Sequence, residues 1–213
     1  SSMKQPDLVN RYKGCGGVIG VTGTPGTKKE MQNFMRMGFD IYKMPTHSPL
    51  RMEKHGISFV SDAQAEANKI LSFRTRDEGL VHPVLDVPED QEHLNELLKA
   101  LQDNDSVKNS KKPIFTYDEI EGAIQYDYDS QKNEWMKSHI DLSDLLNNKA
   151  GQPGAITLSC ILTRGFDIKV ADPYRLLVVE SGGLKKGTSF KGERETDQTY
   201  GRTARAGKAG EVM

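Results

Sequence analysis

Short apolar runs recur along this chain, and stretches of helical periodicity lie between them. Val18-Ile19-Gly20-Val21-Thr22 is the first run; bounded by glycines, it predicts a buried strand. Lys29 to Met37 then reads as a helix and Phe39 to Met44 as a second strand, with Pro45 and Pro49 marking a connector. Ile57 to Val60 predicts another strand. Ser61 is the expected cap of a helix from Asp62 to about Arg74, with Ala63, Ala67, Ile70 and Leu71 on its apolar face. Pro83 to Val87 is a strand, and a helix through Leu101 follows, its apolar stripe made of Leu94, Leu97, Leu98 and Leu101.

Beyond Leu101 the pattern loosens. Gln102 to Lys112 is polar and leads to Ile114-Phe115-Thr116-Tyr117. Residues 123–153 are the least regular part. There, Tyr126-Asp127-Tyr128, a turn over Asp129 to Asn133, and Trp135 predict a β-hairpin, and Asp141 to Asn148 a short helix. Ala155 to Leu158 and Leu176 to Val179 close the list of strands. Helices alternating with short apolar strands predict an α/β sandwich around a mostly parallel sheet. No internal repeat is apparent.

Composition narrows the classes. The 213 residues carry 28% charged side chains and a formal net charge of −1. The isoelectric point near 6.5 gives no basic excess to attract nucleic acid. No apolar run approaches the roughly 20 residues that span a bilayer, and no signal peptide opens the chain. Cys15 and Cys160 predict neither a metal site nor a disulfide framework, so a reducing, cytoplasmic setting is the expectation. Ser1-Ser2 before Met3 resembles an expression scar, and a strand-like beginning at Glu211-Val212-Met213 ends the sequence, so a piece of a longer protein is expected.

Candidate chemistry begins at Thr22-Gly23-Thr24-Pro25-Gly26-Thr27, a tight turn between a strand and a helix. It lacks the G-x-x-x-x-G-K-[ST] spacing, which rejects a Walker A loop. Thr46-His47-Ser48 is loop chemistry with nothing nearby to complete a nucleophile arrangement. Asp118-Glu119 reads as a solvated pair, since an acidic Mg²⁺ ligand needs phosphates held by a P-loop. His55, His82, His93 and His139 are scattered and predict no metal site. The tyrosines and Trp135 do not interleave with a basic stripe, so no stacking platform for single strands is predicted.

Two stretches carry more. After the strand at 155–158, the chain presents Arg164-Gly165-Phe166-Asp167 in fixed order, with a glycine free to adopt unusual backbone angles and a carboxylate able to orient an arginine. About 35 residues on comes Gln198-Thr199-Tyr200-Gly201-Arg202-Thr203-Ala204-Arg205-Ala206-Gly207. As a helix it places Gln198, Arg202 and Arg205 on one stripe. Gly201 beside that stripe permits close approach, and Gly207 is an αL cap. Taken alone, the stripe is a solvated basic face. Two permanently charged guanidiniums one turn apart also make a clamp for a polyanion such as a triphosphate.

Together, T-x-x-x-x-x-x-R-G-x-D-I and Q-x-x-G-R-x-x-R-x-G resemble motifs V and VI of the superfamily 2 helicases and translocases. Within them the likeness is to SecA, the preprotein translocase ATPase. Gly20 to Thr24 resembles its Met-Thr-Gly-Thr turn, Met44-Pro45-Thr46 its Val-Pro-Thr linker, Pro83 to Leu101 the opening of its second ATPase domain, and Ser181 to Leu184 its Ala-Gly-Gly-Leu turn. Departures stand at Thr163, where the family has glycine, and at Ser189-Phe190, where it has Glu-Arg.

The resemblance implies a RecA-like three-layer sandwich. Residues 1–47 would be the end of a preceding nucleotide-binding domain with its linker, and 48–213 the C-terminal motor domain, with an irregular insertion around 102–153. It implies that Arg202 and Arg205 reach the γ-phosphate of ATP across an interdomain cleft. Arg164, Gly165 and Asp167, with Gln198 and Gly201, would line that cleft. ATP and Mg²⁺ would both require the P-loop domain as partner. The implied cargo is unfolded polypeptide, with the Tyr126–Trp135 stretch as its candidate groove and peripheral membrane association compatible with that role. A superfamily 2 nucleic-acid helicase and a degenerate RecA-like scaffold are the alternatives.

Overall fold

The computed structural model describes residues 19, 28–42, 51–56, 58–75, 79–161, 166–181 and 209–212. The chain divides into two compact units, Ser1–Tyr42 and Lys43–Met213. In the first unit, α1 (Lys28–Arg36) ends in a Schellman-type cap. Gly38 takes φ 83°, Phe39 N donates to Phe34 O at 3.1 Å and Gly38 N to Met35 O at 2.9 Å. The Phe34 and Phe39 rings meet edge-on across this cap, 6.2 Å apart, as such a motif requires. Phe39 to Tyr42 are not in a strand, contrary to expectation; the cap turns the chain there instead.

The second unit is built on an eight-stranded sheet in the order β1-β8-β7-β2-β6-β3-β4-β5. The strands are β1 (Arg51–Lys54), β2 (Val84–Val87), β3 (Ile114–Asp118), β4 (Gly122–Asp129), β5 (Glu134–Ile140), β6 (Ile156–Leu158), β7 (Leu176–Glu180) and β8 (Ala209–Val212). From β1 to β3 every neighbouring pair is parallel. The β3–β4–β5 meander continues the sheet antiparallel. Val84 in β2 lies level with Leu177 on one side and Ile156 on the other, which puts the most buried strands at the middle. β1 occupies Arg51–Lys54; of the apolar stretch expected as a strand, residues 58–60 are not in one, Phe59 is 80% exposed, and Ile57 lies outside the described residues. A four-residue strand at the sheet's edge needs no continuous apolar run.

Alternation along the strands divides the core between two faces. Val84, Ile114, Ile156, Leu158, Leu177 and Val179 meet α2 (Ala63–Arg74) and α3 (Gln91–Asp103), which pack side by side through Ala67, Ile70, Leu94, Leu97 and Leu101. The α2 cap is Asp62, not Ser61: its Oδ1 accepts Ala65 N at 2.8 Å, and Ser61 Oγ donates to its Oδ2. Leu85, Val87, Phe115, Leu176 and Val178 point to the other face. There they meet Phe166, Ile168 and a π-helical turn (Leu145–Lys149), which continues the short α5 (Leu142–Asp144).

Residues 102–153, expected to form an irregular insertion, are mostly regular. They contain the end of α3, α4 (Asp105–Ser110), β3, the predicted hairpin and α5. Tyr126 and Trp135 pack against the α3-side core, and Trp135 Nε1 donates to Gln102 O at 3.0 Å. Both rings are half-buried, packing one side against this core.

Candidate functional site

In an open parallel sheet, ligands gather beyond the carboxyl ends of the strands, where connections leave in opposite directions. Here that point lies beside β2, whose chain leads toward β3 while that of its neighbour β7 leads toward β8. Side chains tie the strand ends together at this rim. Asp86, fully buried in β2, accepts a short hydrogen bond from Ser181 Oγ at the end of β7. Ser181 N donates to Val87 O, and Ser159 N to Asp86 O. Ser159 Oγ lies 3.0 Å from Tyr117 O and 2.7 Å from Ile161 O, bracing the ends of β6 and β3.

Above β2, the first turns of α2 and α3 bring Glu66 and His93 together, Nε2 to Oε2 at 2.8 Å. Both side chains are largely buried, and Glu66 Oε1 has no hydrogen-bond partner. Glu89 N approaches His93 Nδ1 at 3.5 Å, which assigns the Nε2 proton to the Glu66 bond. The hydrogen bond that His93 donates to Glu66 holds its pKa above the ordinary 6.5; burial opposes this, and the charges of Glu66, Asp86 and Asp90 add to it.

A raised folded-state pKa stabilises the protein fully below the unfolded value and loses that contribution as pH rises through the folded one. Wild type is therefore expected to lose stability as the pH rises upward from about 6.5 through the raised folded-state value, by an increment that His93→Gln lacks. Urea unfolding of both proteins across that range measures the difference. Equal slopes would show that the pair is not linked to folding.

Of the sequence-predicted residues, Asp167 is described. It is half-buried between buried Phe166 and Ile168, and its Oδ2 lies 2.6 Å from Lys169 Nζ. Arg164, Gly165, Gln198, Gly201, Arg202 and Arg205 lie outside the described residues. Asp118 Oδ1 accepts Ile120 N and Glu121 N at 2.7 Å each, so the acid at the end of β3 caps a hairpin turn, in line with its solvated reading. The Asp86–Ser181 and Glu66–His93 contacts were not anticipated. One signal was present: Asp86 interrupts an otherwise apolar strand whose four residues are all buried.

Among the described residues, no helix is long and apolar enough to cross a membrane. No protein-family model matches the chain, and no curated protein matches it.

Proposed function

We propose that this chain carries the second RecA-like domain of a SecA-like ATP-driven motor, contributing half of an ATPase site. The observation that carries the reading is the position of its two motifs in the strand sequence. Arg164-Gly165-Phe166-Asp167 follows β6, and Gln198-x-x-Gly201-Arg202-x-x-Arg205 lies between β7 and β8, three parallel strands of one sheet. A RecA-like three-layer architecture fits the mostly parallel sheet and its two covered faces. In this reading Arg202 and Arg205 stabilise charge on the transferring phosphoryl group, Gln198 and Gly201 shape the same helix face, and Arg164, Gly165 and Asp167 couple nucleotide state to domain closure. ATP and Mg²⁺ are held mainly by the preceding P-loop domain of the same polypeptide, which this chain needs as partner. The setting is the cytoplasm, with peripheral membrane association at a translocation site.

Polypeptide is favoured over nucleic acid as the cargo. Asp62, Glu89, Asp90 and Glu92 stand at or just before the first turns of α2 and α3 and reach solvent, an acidic lip that repels a phosphate backbone. Anisotropy with a fluorescent ATP analogue and labelled oligonucleotides tests both halves of the proposal. The chain alone is expected to bind the analogue weakly and RNA or DNA no tighter than ~10⁻⁴ M at physiological salt. Sub-micromolar Mg-ATP affinity would sink the half-site reading. Micromolar oligonucleotide binding that weakens steeply with salt would replace the polypeptide motor by a helicase.

A further inference from the structure

At the edge of the sheet, three ligand-type side chains converge from two strands. Glu53 of β1 and Glu211 of β8 lie directly opposite in the parallel register, and His55 follows just beyond β1. His55 Nε2 is 3.1 Å from Glu211 Oε2 and 3.6 Å from Glu53 Oε1, and all three ligand atoms lie within 4.8 Å of one another. A neutral imidazole nitrogen carries at most one proton and cannot bond fully to both carboxylates. A cation at the centre would be met by one donor atom from each of the three.

We propose that Glu53, His55 and Glu211 form a binding site for a divalent cation of the zinc class. Ligand bonds of about 2.0–2.2 Å in a tetrahedron place neighbouring donor atoms about 3.4 Å apart; two of the three separations, 3.1 and 3.6 Å, lie on either side of that value, and the third is within 4.8 Å. Imidazole with carboxylate suits such an ion. Arg175 Nη1 donates to the other Glu211 oxygen at 3.0 Å, the kind of outer partner that orients a ligating carboxylate. The His55 ring is fixed edge-on against Phe73 at 4.9 Å, and Glu211 is 3% exposed. Glu53 is 59% exposed and leaves the ion a route from solvent. The bound ion would clip the short edge strand β1 to β8.

Co²⁺ titration followed by its visible absorption, with Zn²⁺ calorimetry at neutral pH, tests the site on the whole 213-residue chain. One ion per chain is expected, with an intense tetrahedral Co²⁺ spectrum that Zn²⁺ abolishes. Glu53→Gln and His55→Gln should each weaken binding at least 10–100-fold, roughly the loss seen on removing an outer partner, while His139→Gln should not. Zn²⁺ should also raise the melting temperature of wild type and not of Glu53→Gln, a substitution at an exposed position. Failure to bind one ion saturably, or binding that survives both substitutions, would leave the cluster a salt-bridge network around Arg175 and overturn the proposal.

Discussion

Replacing Arg202 or Arg205 by alanine, in a polypeptide that also carries the P-loop domain, is expected to lower kcat by about 10³-fold or more and to change the KM for ATP far less. The effect comes from timing. Charge on the equatorial oxygens of the transferring phosphoryl group is met by guanidiniums reaching across the cleft, so the interaction matures in the transition state rather than on binding. Arg→Lys should rescue poorly at either position, because a single ammonium does not reproduce the planar fork. Steady-state ATPase assays of the four variants measure both parameters. Alanine variants that keep wild-type turnover would reduce the stripe to a basic surface and leave the scaffold reading in place.

Most of the sheet was legible because a parallel strand buried on both faces writes itself as a continuous apolar run. Leu176 to Val179 does so, and Val84–Val87 and Ile156–Leu158 do so but for Asp86 and Thr157. Helix α3 was equally plain, since Leu94, Leu97 and Leu101 repeat at helical spacing and are buried as a stripe. The edge strand β1 was missed for the converse reason. Arg51-Met52-Glu53-Lys54 is polar, and its partner β8 lies more than 150 residues away, a pairing no local pattern encodes. Residues 102–153 looked irregular because β4 and β5 carry charges on strands that are only partly buried, so their apolar signal is diluted.

The site divides in the same manner. Arg164, Arg202 and Arg205, which lie outside the described residues, are singled out by spacing within short motifs, a signal read without knowledge of the fold. Glu66 and His93 belong to different helices and meet only because both first turns point to the carboxyl rim of the sheet. Their pairing is a product of topology. Asp86 is the intermediate case, a carboxylate in a run of buried positions that signals a polar task without naming its partner.

The second large effect is expected at Gly151, where the π-helical turn meets the segment that carries Asp167. A Cβ at this position would lie 1.9 Å from Lys169 O and 2.7 Å from Lys169 C, both backbone atoms that no rotamer change can move. Nearby, Lys169 N donates to Leu146 O at 2.9 Å, and Phe166 and Ile168 are buried in the core on this face. Relief therefore requires the 166–170 backbone to retreat by more than an ångström. That would break the hydrogen bond and open the packing beneath β2 and β7. Overpacking a close-packed interior costs about 1–3 kcal/mol when side chains yield. Backbone against backbone should place Gly151→Ala at or beyond about 3 kcal/mol. Gly56→Ala is the control, because a Cβ there meets nothing within 4 Å, and it should stay within about 0.5 kcal/mol of wild type. Urea midpoints at unchanged m-value give both numbers. Should Gly151→Ala unfold like wild type, the segment bearing Asp167 does not rest on this turn, and the rim must be held by Ser159 and Ser181 without it.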